Sequence, residues 1–521
     1  MCGIAGFCNF KEDFEENTDY WNFRLEKMRA VLAHRGNDAR GRFLKKHIGL
    51  SHSRLAIRDI LCGDQPMTRT HNGYDYTICY NGEIYNTDEL IPELSENGFV
   101  CSTTSDTEVI LYAYIHWGAD FVNRLNGIFA FAIWDAAKNR LLLYRDRVGV
   151  KPLFYAIRGD SLVFGSEPKA CFAHPAVKPE LDKQGLQELL AIGPAHTSGL
   201  SLFKDLFEVL PGHFMIYSQN GLHDETYWEL TSREHTESYQ DTVAHTRFLV
   251  EDAIKRQMVS DVPVCTFLSG GIDSSIVTAI AANYMNTRGK TLNTFSFDFK
   301  DNDRYFKANA FQPERDLPYV NRMLEEYETA HAYLECDENS LFKALFAAVD
   351  AKDMPGMTDV DSSLLYFCSL VSRKNKVALT GECADEIFGG YPWFYRKELL
   401  ERYGFPWSSD VAPRLALLRD DVGLELDLSG YQAFRYEESR SKAPLLYGEA
   451  GEDESRRIIG YLNIKWFMQT LLDRMDRTSM YSELEARVPF ADHRIIEYVF
   501  NVPWHMKYQK GCLLYTSDAA D

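Results

Sequence analysis

The sequence predicts an α/β protein made of two unlike halves, and three observations carry that prediction. Up to about Gly212, short apolar runs alternate with turn residues, the pattern of strands in stacked antiparallel sheets covered by helices. From Val262 onward, strands alternate with helices, which implies a parallel sheet with helices on its faces. Between them, from about residue 217 to 240, the chain turns polar and acidic, as in His223-Asp-Glu-Thr-Tyr-Trp228, and this marks the join. The expected units are residues 1–215, a linker over 216–240, and residues 241–521.

In chain order, Cys2-Gly-Ile-Ala-Gly-Phe7 reads as a strand, and helical patterns lie near residues 21–34 and 105–117. Further strands are expected at Tyr76–Tyr80, Ile128–Trp134, Arg140–Tyr144 and Ser161–Phe164. The Asn81-Gly82 pair reads as a tight turn closing the first of these. In the second half Val262–Leu268, Leu292–Phe297 and Val377–Thr380 read as strands, and Ile276–Ala282 as helix. The last third, from about Tyr395, reads mainly as helices.

At 521 residues the chain is too long for one ordinary core. Its net charge of −20 argues against non-specific binding to nucleic acid or to an anionic membrane. No signal peptide precedes Lys11-Glu-Asp13, and no window approaches the ~18 apolar residues of a membrane span. The 11 cysteines form no Cys-x-x-Cys pair and read as reduced thiols, so a cytoplasmic protein is expected.

Cys2 stands directly behind the initiator methionine. If Met1 is removed, thiol and free α-amine share one residue, a nucleophile beside a base whose pKa is about 7.7–8.0. A second chemical stretch is Leu268-Ser-Gly-Gly-Ile-Asp-Ser-Ser275, at a strand-to-helix junction. Two glycines let successive N–H groups converge on phosphate, with Ser269 and Ser274 adding hydroxyls and the helix N-terminus adding positive charge. Asp273 cannot bind phosphate itself, so its natural partner is a Mg²⁺ shared with phosphate oxygens. The loop lacks the lysine of a GxxxxGK[ST] P-loop. A third stretch, Leu379-Thr-Gly-Glu-Cys-Ala-Asp-Glu-Ile-Phe-Gly-Gly-Tyr391, crowds Glu382, Asp385 and Glu386 into five residues after a strand. Buried carboxylates need cations, and metal ligation would supply them.

Together these stretches make the chain resemble the glutamine-hydrolysing asparagine synthetases over nearly its whole length. The first half resembles a class II glutamine amidotransferase domain of the N-terminal-nucleophile αββα type. It carries Met1-Cys-Gly-Ile4, His34-Arg-Gly36, Ser53-Arg-Leu-Ala-Ile57, Gln65-Pro-Met67, Tyr80-Asn-Gly-Glu-Ile-Tyr-Asn86 and Ser105-Asp-Thr-Glu108. The second resembles a Rossmann-like PP-loop ATP pyrophosphatase with a helical C-terminal part. Its motifs are Ser260-Asp-Val-Pro263, Ser269–Ser274, Gly381–Tyr391, Asp473-Arg-Met-Asp-Arg477 and Glu485-Ala-Arg-Val-Pro-Phe-Ala-Asp492.

The resemblance implies that Cys2 forms a thioester with glutamine while Asn81 and Gly82 stabilise the oxyanion. Arg54, Leu55, Ala56, Ile57, Arg58, Glu83 and Asp106 would bind glutamine, Arg54 at its α-carboxylate. Phe267, Ser269, Gly270, Gly271, Asp273, Ser274, Phe297, Thr380 and Gly381 would bind ATP, with Mg²⁺ on Asp273 and Asp385. Glu382 would serve the β-aspartyl-AMP stage, and Asp353–Ser363 would contribute to the acceptor pocket. Ammonia would pass between the sites through an apolar passage, and a homodimer is a family expectation.

Two departures stand out. The family pattern His-Arg-Gly-Pro-Asp is here His34-Arg-Gly-Asn37-Asp38. After Met506-Lys-Tyr508 the stretch Gly511–Asp521 does not align with the family segment that carries a catalytic lysine, so the C-terminus reads as truncated. Two alternatives stay open: an amide-forming enzyme of the same plan with another carboxylate acceptor, and a chain that only hydrolyses glutamine or binds its ligands.

Overall fold

The computed structural model describes residues 2–307, 315–408, 410–509 and 512–513. Met1, on whose removal the Cys2 chemistry depends, lies outside the described residues, as do Gly511 and 514–521 of the tail.

The first half builds two antiparallel sheets. One contains β1 (Gly3–Asn9), β2 (Ala39–Lys45), β3 (Ile48–Arg54), β8 (Phe154–Arg158), β9 (Ser161–Gly165) and β10 (Phe207–Glu208), in the order β10-β8-β9-β1-β3-β2. The other contains β4 (Met67–His71), β5 (Tyr74–Ile84), β6 (Gly127–Asp135), β7 (Arg140–Arg145), β11 (His213–Ser218) and β12 (Gly221–Thr226), in the order β12-β11-β7-β6-β5-β4.

Period-two alternation decides which residues face which layer. Ile4 and Cys8 of β1 point between the sheets, against Ala130, Ala132 and Leu143 of the second sheet. Their neighbours Ala5 and Phe7 point outward, onto Trp21, Leu25 and Met28 of the helix Thr18–Ala30. The outer face of the other sheet, with Phe129, Phe131 and Ile133, packs on Val109, Ile110 and Ala113 of the helix Asp106–Trp117. The result is the expected αββα sandwich.

Two sequence expectations change. Asn81 and Gly82 are not a turn: β5 runs on to Ile84, with Asn81 opposite Ala130 and Gly82 opposite Phe129. A Cβ on Gly82 would lie 2.2 Å from the Ile128 carbonyl, so glycine is needed there for close strand approach. The stretch 216–240, expected as a linker, still contributes β12 to the second sheet, and the helix Tyr239–Arg256 begins before it ends.

The second half centres on a wholly parallel sheet of β13 (Val264–Phe267), β14 (Leu292–Phe299), β15 (Thr329–Cys336), β16 (Val377–Leu379) and β17 (Glu485–Arg487). Its order is β15-β14-β13-β16-β17. The chain leaves β13 for β14 on one side and later returns to β16 on the other. This creates a switch point where ligands bind beyond the strand ends. From Pro392 to Lys507 the chain is largely helical.

Candidate active sites

The first site is a small, half-open pocket lined by Cys2, Arg54, Leu55, Ile57, Arg58, Gly82, Glu83 and Asp106, among others. Its floor is the start of β1 laid against the end of β5. There the Cys2 nitrogen donates to Asn81 Oδ1 at 2.9 Å, while Asn81 Nδ2 is buried with no hydrogen-bond partner. A desolvated amide donor costs free energy unless something completes it. Burial also pushes the Cys2 thiol pKa up, so the thiol is protonated at neutral pH and needs a base.

The charged wall residues are anchored by the structure around them. Arg54 donates to the Ile60 and Asp59 carbonyls at 3.2 and 2.6 Å and to Asp64 at 2.8 Å, bracing the loop that closes the pocket. Ala56, which is not among the pocket-lining residues, donates its N–H to Asp38 at 2.7 Å. Asp106 accepts from the Tyr80 hydroxyl at 2.8 Å and the Ile84 N–H at 3.0 Å. Arg58 reaches Glu83 at 3.2 Å. Burial, reinforced by Asp106, pushes Glu83 up to about 8 in spite of nearby Arg487 and Arg58. Acids and guanidiniums thus share one pocket, which suits a zwitterionic amino acid. The sequence reading did not place Gln65, Ser105, Thr107 and Glu485 in this wall. All four stand inside motifs already noted, but Glu485 was read with the synthetase motif Glu485–Asp492, and nothing in that motif pointed to the pocket of the other half.

The second site is the crevice beyond β13 and β16. These strands pair in register, Thr266 beside Leu379, so the loops after them lie side by side. A Cβ on Gly381 would meet the Ser274 nitrogen at 2.8 Å and Asp273 Cβ at 2.9 Å, which brings Asp273 to the Thr380–Asp385 segment. Ser269 and Gly271 are exposed, and Gly270 has φ +87°. The Ser274 hydroxyl donates to the Gly271 carbonyl and accepts from the Ser269 N–H, which shapes the loop at the helix N-terminus. Phe267 and Phe297 both pack on Phe367, at 4.6 and 5.2 Å between ring centroids.

Beside this loop, Glu382 is paired with Arg474 at 2.7 Å. Burial, with Glu382 and Asp385 adding to it, pushes Glu386 up to about 8 against a lowering hydrogen bond from Tyr391. Such crowding of hard oxygen donors fits a divalent cation. Among the described residues no group of three or more His, Cys, Asp or Glu could hold a metal alone. Phosphate oxygens would therefore have to complete the shell around Asp273 and Asp385.

The two halves are joined by buried charges. Arg35 donates to the Cys2 carbonyl at 3.0 Å, to Glu167 at 2.8 Å and to Asp476 at 2.9 Å, and Lys151 adds a contact to Asp476 at 3.1 Å. Arg477 pairs with Asp353 at 2.7 Å. At the family's usual proline, Asn37 instead reaches Glu483 across the join at 2.5 Å. Among the described residues no helix is long and apolar enough to cross a membrane.

Comparison with known proteins covers both halves of the chain. A glutamine amidotransferase domain matches residues 1–228 and an asparagine synthase domain matches residues 245–515. Asparagine synthetase [glutamine-hydrolyzing] 3 of Bacillus subtilis (strain 168) is 49% identical over 98% of this chain and 83% of its own length. Amidase chyE of Penicillium rubens is 29% identical over 97% of this chain and 83% of its own. The solved glutamine phosphoribosylpyrophosphate amidotransferase of B. subtilis overlaps 59% of this chain and 69% of its own, at 19% identity and a TM-score of 0.33. At that score it is the chain's own three sheets that establish the fold. With both domain types matched in order and half of all residues shared with a full-length relative, the chain belongs to the glutamine-hydrolysing asparagine synthetase family.

Proposed function

We propose that the chain makes asparagine from aspartate, with glutamine as nitrogen donor and ATP as the driving substrate. The observation that carries the first half of this reading is Asn81. Its Oδ1 fixes the Cys2 nitrogen while its buried Nδ2 waits for an acceptor, the arrangement an oxyanion needs. The Cys2 amine takes the thiol proton, and the thiolate attacks the glutamine side-chain carbonyl carbon. The oxyanion draws on Asn81 Nδ2 and the Gly82 N–H. The amine returns its proton as ammonia leaves, and water hydrolyses the thioester to glutamate. Arg54 and Arg58 suit the substrate α-carboxylate, and Glu83 and Asp106 its α-ammonium.

In the second half the 269–274 loop and its helix N-terminus bind the phosphates, and Phe267, Phe297, Thr380 and Gly381 flank the adenosine. The aspartate β-carboxylate displaces pyrophosphate from the α-phosphorus, giving β-aspartyl-AMP. Ammonia then attacks its acyl carbon and AMP leaves. Glu382, held by Arg474, stands where the acyl-adenylate forms. Mg²⁺ held through Asp273 and Asp385 would neutralise phosphate charge. We further propose that the chain works as two units joined through residues 227–238.

The test follows glutamate, pyrophosphate and asparagine together, with glutamine, aspartate and Mg·ATP supplied. Cys2→Ala is expected to lose glutamine-dependent but keep ammonium-dependent asparagine synthesis. Asn81→Ala should lower the glutaminase kcat about 10²–10³-fold. Pyrophosphate release with a different carboxylate, and none with aspartate, would favour the other amide-forming reading.

A further inference from the structure

Strand β17 is shared property of the two sites. Its backbone belongs to the ATP-site sheet: the Thr380 N–H donates to the Arg487 carbonyl at 3.0 Å, immediately before Gly381 and Glu382. Its alternate side chains Glu485 and Arg487 leave that sheet on one face and enter the front half. Glu485 lines the Cys2 pocket although it lies 483 positions along the chain from Cys2. Arg487, fully buried, donates to Glu485 at 2.6 Å, to the Gln257 carbonyl at 2.6 Å and to Glu83 at 3.3 Å. One guanidinium therefore fixes a carboxylate from each half at the edge of one pocket.

We propose, resting on the glutaminase reading above, that Glu485 is a positioning residue of the glutamine site. Its carboxylate holds the Cys2 α-amine in place and stabilises the ammonium formed when the thiol proton moves to it. The proton shuttles from Sγ to the amine and on to the departing ammonia, so Glu485 itself neither gains nor loses one. Several groups face this pocket. Arg54 and Arg58 are the cations in its wall, Glu83 and Asp106 the other acids, with Tyr80 bonded to Asp106 and Arg487 behind Glu83 and Glu485. Burial works against ionising Glu485, but the charge of the amino terminus first, then Arg487 and Lys151, brings it down to about 2. It therefore remains a carboxylate throughout the working range of the amine. Its negative charge also adds to the burial that keeps the Cys2 thiol protonated, which makes the amine's help necessary. The synthetase half thus completes the glutaminase site.

The experiment compares wild type, Glu485→Gln and Glu485→Asp, each confirmed by mass to begin at Cys2. It reads the pH dependence of glutamate release from glutamine and of Cys2 alkylation by iodoacetamide. A carboxylate beside an ammonium raises the amine pKa, and removing it lowers that pKa. Glu485→Gln should move the acid limb of kcat/KM to lower pH by about one unit and lower kcat at least about 10-fold, with KM changing less. Glu485→Asp should restore part of both. Should Glu485→Gln fold less well and lose turnover, the alkylation profile still decides. An acid limb and alkylation profile unmoved in both variants would overturn the proposal and leave Glu485 as wall only. Absence of glutamate release from the wild type would instead overturn the glutaminase reading.

Discussion

Asn81 and Glu386 show how single residues here hold chemistry that burial would otherwise forbid. Asn81 is useful because one end of its amide is spent on Cys2 and the other is left desolvated. Glu386 is a carboxyl in a crowded, buried corner, with its pKa pushed up to about 8. Its sign is the reverse of a salt-bridged acid. Between the ordinary carboxylate range and about 8, the unfolded chain ionises this group while the folded chain keeps it protonated. Stability is therefore lost as pH rises through that window. Glu386→Gln should flatten this loss, so the variant's Tm relative to wild type rises between about pH 5 and pH 8 without ligands. Melting curves across that range check it, and a pH-independent difference would contradict the assignment.

At the scale of elements, the ATP crevice depends on two loops meeting with no side chain between them. Gly381 follows β16 and lies against the backbone of Ser274, and a methyl group at 2.8 Å from that nitrogen must push one loop away. Gly381→Ala should therefore cut pyrophosphate release about 10²-fold, since a displacement near 1 Å at a reacting centre has that scale. Glutamate release, whose nucleophile and oxyanion donors sit on β1 and β5, should fall much less. Measuring both products in one reaction separates this local effect from misfolding.

The whole molecule is held by charge as well as by apolar packing. Asp476 lies 2% exposed between Arg35 and Lys151, so the join between halves contains an ion triad with little access to water. Removing one member of such a set leaves uncompensated buried charge and costs about 3–5 kcal/mol. Asp476→Ala should lower the urea midpoint accordingly and weaken both activities together. Loss of synthesis alone, with stability unchanged, would show that the triad does not couple the halves.

Much of this was readable in the residues. Alternating apolar runs gave the sandwich, strand–helix alternation gave the parallel sheet, and the 268–275 and 379–391 stretches gave the crevice, because each depends on local periodicity or on neighbours in sequence. The Asn81-Gly82 pair was misread because local turn propensity yielded to pairing with β6, a partner more than forty residues away. Strand β12 was missed because its exposed, polar residues show no apolar face. Cys2 was marked as a nucleophile by its place behind Met1 together with the motifs that carry the family resemblance, but nothing near Glu485 or Asp476 announced a partner in the other half. Sequence by itself therefore determined the layers and the chemical loops, whose physics is short-range. Only the tertiary structure decided which charges share a pocket, because burial and Coulomb interactions act through space rather than along the chain.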